Sequence, residues 1–144
     1  MKFTLIIDKT KEPSVTVITD KVNETVAKIE SLCASEGKNA INGYKDNEIT
    51  LISVNDVSRF YTDGGKVYVS KGGETFLIKM RIKDVEEIVG ENFIKINQGC
   101  IANVNKIKKF KASIGGALMV VFNDDSCDYV SRRELKNVKR RLGL

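Results

Sequence analysis

Short runs of β-branched and aromatic residues, separated by glycine pairs, dominate the chain from about residue 41 onward. Such runs predict strands, and paired glycines supply the positive φ angles that tight hairpins need. The predicted strands are Ile49–Ser53, Val57–Tyr61, Lys66–Ser70, Thr75–Ile78, Phe93–Ile96, Cys100–Phe110, Ala117–Phe122 and Cys127–Val130. The pattern therefore predicts a mainly β fold of the α+β class with short helices.

Helical spacing of apolar residues appears twice in this region. Residues 81–89 alternate an apolar and a charged side at helical period, and Gly90 marks the end of that helix. Near the C-terminus, Ser131 and Glu134 fit a capping box, which predicts that a strand ends and a helix begins at Ser131. The first turn of that helix should then present Arg132 and Arg133.

The first forty residues predict a separate β-β-α segment. Phe3–Ile7 and Val15–Thr19 read as a hairpin, and residues 21–34 read as an amphipathic helix. We therefore divide the chain into residues 1–42 and a larger domain at 43–144. The segment is too small to fold alone, so it should pack either on the rest of the chain or on a second copy, and both readings stay open.

Composition excludes several classes of protein. The 144 residues are 42% apolar and 30% charged, which suits a globular protein, and no apolar run approaches the roughly 20 residues of a membrane span. The N-terminus lacks the features of a signal peptide, and three cysteines without framework spacing predict reduced thiols in the cytoplasm. Because the chain has no histidine, it has no His general base and no imidazole metal ligand, which leaves carboxylate–metal or Lys/Tyr chemistry as the enzymatic routes. An enzyme is then the weaker reading, and we predict no catalytic residues, no metal ligands and no cofactor.

Positive charge is concentrated toward the C-terminus. Residues 95–144 hold eleven Lys or Arg against four Asp or Glu, whereas residues 46–94 hold six against nine. A polarised excess of this kind attracts a polyanion to one face and supplies non-specific affinity for nucleic acid. An ordinary solvated lysine-rich surface would explain the same count, so charge alone leaves both readings open.

The order of residues within this basic half is more specific. Phe93, Asn103, Ile107, Ser131 and Arg132 occur in order among apolar strands and glycine turns, with the basic Lys95 two residues after the phenylalanine. In this order, over roughly residues 45–142, the chain resembles the LytTR family of bacterial DNA-binding domains. It departs from the usual His-Arg-Ser of that family, because Asn97, Gln98 and Gly99 stand there.

The resemblance implies an elongated, mostly β fold that reads successive major grooves of promoter DNA with loops. It also implies a non-enzymatic transcription regulator of the stand-alone type, without a receiver domain or a small-molecule substrate. Such regulators act on double-stranded DNA, and some are held in check by a small membrane protein. That this chain binds DNA as a homodimer is a separate expectation, which rests on the apolar stripe of the helix predicted over residues 21–34. The other statements are expectations carried by the family likeness.

Carried over residue by residue, the likeness implies three DNA-reading loops. They are the hairpin Asp63–Lys66, the Asn97-Gln98 turn and the Ser131-Arg132 junction. Arginine pairs bidentately with guanine and an amide with adenine, while lysines hold phosphates. The expected DNA-binding residues are Lys66, Lys95, Asn97, Gln98, Lys106, Lys108, Arg132 and Arg133.

Two residues of the likeness favour a structural role. Asn103 is expected to bond backbone groups and not DNA. Cys100 is expected to be a small buried apolar residue, which we favour over a redox sensor because nothing in the sequence indicates a lowered thiol pKa.

Two other functions are weaker readings of the same chain. Asp124, Asp125 and Asp128 could hold a metal ion in a nuclease, but turn chemistry explains acidic residues there without a metal. An RNA-binding or protein-interaction β module would need exposed aromatic residues for base stacking, and Tyr61 and Tyr68 fall in strand patterns that explain them as sheet residues.

Overall fold

The computed structural model describes residue 2 and residues 4–11, 14–35 and 40–144. It divides the chain into two units, Met1–Lys38 and Asn39–Leu144. The first unit contains a single helix among its described residues, α1 (Glu24–Ser35). Asn23 starts this helix, because its side-chain oxygen accepts the N–H of Val26 at 3.1 Å. The helix predicted over residues 21–34 is thereby confirmed.

The hairpin predicted ahead of α1 is not formed in the described residues. No strand occurs at residues 4–7 or 15–19, and Phe3 lies outside the described part of the chain. A two-stranded hairpin is marginal in water unless a hydrophobic face is buried. The side chains of Ile6 and Ile18 are 82% and 95% exposed, so burial does not support the pairing that their β propensity favours.

The second unit consists of two antiparallel sheets and two helices. Its elements are β1 (Ala40–Lys45), β2 (Glu48–Ser53), β3 (Arg59–Asp63), β4 (Lys66–Lys71), β5 (Glu74–Ile78), α2 (Ile82–Ile88), β6 (Phe93–Asn97), β7 (Cys100–Asn103), β8 (Ile107–Ala112), β9 (Leu118–Phe122), β10 (Cys127–Val130) and α3 (Arg132–Leu142). The larger sheet has the order β2-β1-β5-β4-β3-β7-β6, and the smaller has the order β10-β9-β8. The predicted mainly β fold is confirmed.

The large sheet is covered on both faces near β3, β6 and β7. Alternation along β7 shows this, because Ile101 packs with Phe60 and Val85 of α2, whereas Cys100 packs with Phe122 and other residues of the smaller sheet and α3. Successive side chains of a strand point to opposite faces, so β7 contributes to both hydrophobic clusters. This layering holds α3 and β10 against the end of the sheet that carries the β6–β7 turn.

Two elements differ from the prediction. The single strand expected over Cys100–Phe110 is two strands in different sheets, separated by a helical turn at Val104–Lys106. Asn103 causes the break, because its side-chain oxygen accepts the N–H of Asn105 at 3.0 Å and competes with strand pairing. The strand β1 was not predicted, since Asn42 and Gly43 have low β propensity.

Gly43 is required in β1 by close packing. A Cβ at this position would overlap Ile52 and would lie 2.9 Å from the Cβ of Phe76. We expect Gly43→Ala to lower the free energy of unfolding by about 1–3 kcal/mol, the usual range for overpacking a core. Urea denaturation followed by circular dichroism measures it. Gly90→Ala is the matched control, because a Cβ there meets nothing within 4 Å, and an equal loss in both variants would contradict the packing argument.

Candidate nucleic-acid interface

Three loops meet at one end of the large sheet. The first is the β3–β4 hairpin, the second is the β6–β7 turn at Gln98-Gly99, and the third is the junction of β10 with α3 at Ser131. The N–H of Thr62 donates to the carbonyl of Gly99 at 2.9 Å and joins the first loop to the second. The N–H of Ser131 donates to the carbonyl of Ile96 at 2.9 Å and joins the second to the third. The segments that the family likeness implies as DNA-reading loops are therefore neighbours.

The β3–β4 hairpin presents Lys66 at this end. Its two loop residues, Gly64 and Gly65, have φ angles of 55° and 77°, as a type I′ turn requires. Asp63 and Lys66 face each other across the turn. The side chain of Lys66 is exposed, and nothing in the turn limits its access to a polyanion.

The β6–β7 turn separates its two polar residues into different roles. Gln98 is exposed at the tip, whereas Asn97 is buried. The Asn97 amide nitrogen donates to the carbonyl of Tyr129 and to the carboxylate of Asp128, both at 2.9 Å, and its oxygen accepts the N–H of Gly99 at 2.9 Å. The Asn97 amide is thus engaged in structural bonds in this fold, and a base could reach it only if these bonds broke.

The junction at Ser131 is the capped strand–helix boundary that the sequence predicts. Its hydroxyl oxygen accepts the N–H of Glu134 at 3.3 Å, which confirms Ser131 as the N-cap. The reciprocal bond of a full capping box is replaced, because the N–H of Ser131 donates to Ile96 instead. Arg132 and Arg133 follow in the first turn of α3, and both are exposed.

Three of the expected basic contacts lie away from the three loops. Lys95 is 3.6 Å from Glu86 of α2, on the face of β6 opposite the smaller sheet. Lys108 is paired with Asp125 at 3.1 Å. Lys106 lies past the end of β7 farthest from Gln98, beside a cavity of about 380 Å³ that Asp124 and Asp125 also line. The structure thus groups Lys66, Gln98, Arg132 and Arg133 and separates the other three lysines from them.

A largely buried ion pair connects the two sheets behind the loops. Nη1 of Arg59 is 2.8 Å from the Asp128 carboxylate and 3.1 Å from the carbonyl of Cys127, and both charged side chains are 15% exposed. The guanidinium carbon also lies 4.3 Å from the centre of the Tyr61 ring. Sequence reasoning did not find Arg59, because it falls within a strand pattern and its partner is 69 residues away.

Known proteins share this architecture. The model of the LytTr DNA-binding domain matches residues 47–143. The chain belongs to the LytTR family. The LytTR fold is also seen in the solved LytTr DNA-binding domain of a protein described as a methyl-accepting/DNA response regulator from Bacillus cereus. That structure is 19% identical in sequence, with a TM-score of 0.70, and the match covers 75% of this chain and 100% of that one.

Full-length relatives of this LytTR protein occur in Staphylococcus aureus. A protein of strain MSSA476 is 30% identical over 146 residues, covering 100% of this chain and 99% of the relative. A protein of bovine strain RF122 / ET3-1 is 29% identical over the same span and coverage. Both are named uncharacterized HTH-type transcriptional regulators. Among the described helices of our LytTR protein, none is long and apolar enough to cross a membrane.

Asp124, Asp125 and Asp128 of the LytTR domain are engaged in structural contacts. Asp124 accepts hydrogen bonds from the hydroxyl of Ser70 at 2.7 Å and from that of Ser126 at 2.6 Å. Asp125 pairs with Lys108, and Asp128 pairs with Arg59. No group of three potential metal ligands occurs within the part of the chain that the structure describes. Turn geometry accounts for Asp124, which accepts the N–H of Ser126, and for Asp125, whose φ is 63°. Asp128 lies instead in β10 and is explained by its ion pair with Arg59.

Asp124 should make the free energy of unfolding depend on pH. Partial burial raises the pKa of its carboxyl, but hydrogen bonds from Ser126 and Ser70 outweigh burial and leave the pKa below its ordinary value. A depressed folded-state pKa contributes stability above the unfolded pKa, and this is lost as pH falls through the folded pKa. We expect Asp124→Asn to flatten the acid limb of a plot of unfolding free energy against pH. Ser70→Ala should flatten it less, and an unchanged limb in Asp124→Asn would contradict the assignment.

Cys100 is a packing residue of the LytTR domain, as predicted. It is fully buried in the cluster formed with Phe122 and Val138. Burial, followed by the nearby charge of Asp128, raises the pKa of its thiol well above the ordinary value. Because the thiolate is the reactive form, Cys100 is unreactive at neutral pH. Asn103 is likewise buried, and its amide donates to the carbonyl of Val57 at 2.8 Å, which confirms its structural role.

Proposed function

We propose that this LytTR protein is a sequence-specific transcription regulator that reads promoter DNA with its three neighbouring loops. The observation that carries the proposal is the grouping of exposed Lys66, Gln98, Arg132 and Arg133 at one end of the sheet. The helices α2 and α3 are separated by five strands, so residues 40–144 contain no pair of consecutive helices that could act as a helix-turn-helix. Loops are therefore the elements available for base readout.

The chemistry of these side chains suits two of them to contacts with bases and two to contacts with phosphates. Arg132 can donate two parallel hydrogen bonds to O6 and N7 of a guanine, and Gln98 can pair with N6 and N7 of an adenine. Lys66 and Arg133 supply charge to phosphates, which positions the protein on the duplex. Loops that lie side by side at one end of a sheet can enter the grooves of a duplex, and the partner is double-stranded DNA.

Selection of bound duplexes from a random pool tests this function and, in the same experiment, identifies the DNA sequence that the protein binds. The full chain should enrich a defined sequence. Its affinity for that sequence should fall steeply as the salt concentration rises, because lysine and arginine side chains that bind phosphates release counterions from the DNA. Competition between duplex DNA and single-stranded RNA for the protein distinguishes this proposal from the alternative of an RNA-binding module. Failure to prefer any duplex at low salt would overturn the proposal.

Lys66 should act on affinity without acting on selectivity. We expect Lys66→Ala to weaken binding about equally on all duplexes and to reduce the slope of log affinity against log salt by about 1, as for one lost phosphate contact. Fluorescence anisotropy across a salt series measures both quantities. Lys71→Ala removes the same charge from the opposite end of β4 and is the control. An equal effect of the two substitutions would argue against a specific role for the hairpin.

We further propose that the protein acts as a homodimer in the cytoplasm. Residues 1–42 would support self-association, because the apolar residues Val22, Val26, Ile29 and Leu32 recur at helical spacing on one stripe. Sedimentation of the full chain and of a chain starting at Ile41 tests this, and two monomeric species would contradict it. A small membrane protein that restrains the regulator, as the family likeness implies, would meet it in that compartment.

A further inference from the structure

The Asn97 side chain lies between two of the proposed DNA-reading loops. It is 5% exposed at the end of β6, immediately before Gln98. Its oxygen accepts the N–H of Gly99, which shapes the turn around Gln98. Its nitrogen donates to the carbonyl of Tyr129, two residues before Ser131. One amide therefore contacts the backbone of the β6–β7 turn and that of β10, the strand that leads into the Ser131 junction.

The same amide is held by a charged residue that has little freedom to move. The nitrogen of Asn97 also donates to Oδ1 of Asp128 at 2.9 Å, and that oxygen accepts the N–H of Tyr129 at 2.9 Å. The other oxygen of Asp128 is held by Arg59 at 2.8 Å. Hydrogen bonds to a charged acceptor are shorter and stronger than neutral ones. The chain Arg59–Asp128–Asn97 thus joins β3 and β10 to the tip of the β6–β7 hairpin.

We propose that Asn97 and Asp128 are positioning residues that set the separation of Gln98 from Arg132, and thereby the protein's selectivity among DNA sequences. The inference rests on the proposed function, because it presupposes that Gln98 and Arg132 read bases. It assigns no contact with DNA to Asn97 or Asp128. Two base-reading side chains on different loops discriminate only when both reach their bases together. The Asn97 amide bonds directly to the backbone of the β6–β7 turn at Gly99 and to that of β10 at Tyr129, two residues before the Ser131 junction.

An isosteric substitution isolates the contribution of the amide donor. Asn97→Asp keeps the shape and the oxygen that accepts the Gly99 N–H, but it places a carboxylate oxygen against the Asp128 carboxylate and the Tyr129 carbonyl. Asn103→Asp is a matched control. Asn103 is also buried and also donates to a backbone carbonyl, at the end of the β6–β7 hairpin away from Gln98.

The experiment compares binding of the full chain to its selected duplex and to a scrambled duplex of equal length. It is done at a temperature where circular dichroism shows each variant folded. We expect Asn97→Asp to lower the affinity ratio of the two duplexes about tenfold or more, and Asn103→Asp to change it less than about twofold, since one bidentate base contact is worth this much. Both variants should have lower unfolding temperatures, so stability alone does not distinguish them.

A folded Asn97→Asp that keeps the wild-type ratio, or an equal loss in Asn103→Asp, would overturn the inference and leave the proposed function standing. If Asn97→Asp does not fold, Asn97→Ala takes its place with Asn103→Ala as its control, with the same expected loss and an unchanged ratio as the contrary result. A wild-type protein without preference between the duplexes would overturn the proposed function itself, and with it this inference.

Discussion

Asp128→Ala should lower the free energy of unfolding by about 3–5 kcal/mol, the usual cost of removing one partner from a buried ion pair. The substitution leaves the Arg59 guanidinium largely buried without its counter-charge. Its Nε already has no hydrogen-bond partner in the described part of the chain, so little remains to compensate the charge. Because small domains are stable by only about 5–15 kcal/mol, this loss is a large fraction of the total. Urea denaturation followed by circular dichroism measures it.

A double-mutant cycle separates the ion pair from the rest of the network. Arg59→Met should cost less than Asp128→Ala, because the carboxylate keeps its hydrogen bonds from Asn97 and Tyr129. The double variant should cost less than the sum of the single ones, with a coupling of about 0.5–3 kcal/mol for groups in direct contact. Strictly additive losses would show that the pair does not hold the two sheets together.

Arg132→Ala should weaken binding to the selected duplex by about 1–3 kcal/mol and should relax the preference at one base position. The expected reason is the loss of a bidentate contact with guanine. Affinity for scrambled duplexes should change little beyond the effect of one charge. Competition binding against duplexes altered at each position of the site measures both effects.

Arg141→Ala is the matched control for this prediction. Arg141 is exposed on the same helix, and nine residues place it roughly 13 Å along the axis and on the opposite side from Arg132. The two substitutions remove the same charge from α3, so net charge is equal in both variants. If Arg141→Ala relaxed base preference as much as Arg132→Ala, α3 would act through charge and not through a contact made at its first turn.

Local features of the fold were predictable from short stretches of sequence. The Gly64-Gly65 and Gly72-Gly73 pairs indicated hairpins, and both pairs have positive φ in tight turns. Ser131 indicated a helix start, and its hydroxyl forms the predicted cap. These features depend on backbone angles and hydrogen bonds within three or four residues, so a single sequence contains the information that they require.

The roles within the candidate site were less predictable, because they depend on burial. Asn97 and Gln98 are adjacent polar residues that the family likeness treats alike. Packing of β10 against the β6–β7 turn buries the first and exposes the second. The break between β7 and β8 was missed although its cause is local, because the strand pattern over Cys100–Phe110 gives no sign that the Asn103 side chain accepts the N–H of Asn105.

Residue order alone established the mainly β fold and the family likeness, and it predicted the three loops that carry the proposed DNA-reading residues. Packing across long separations established which of their side chains are free to reach a partner. The bond from Asn97 to Asp128 spans 31 residues, and the pair of Arg59 with Asp128 spans 69. Patterns within a short stretch of sequence cannot predict such contacts, because the free energy of these contacts arises when two sheets pack together and exclude water. The arrangement that presents Lys66, Gln98 and Arg132 together is therefore a property of the folded domain.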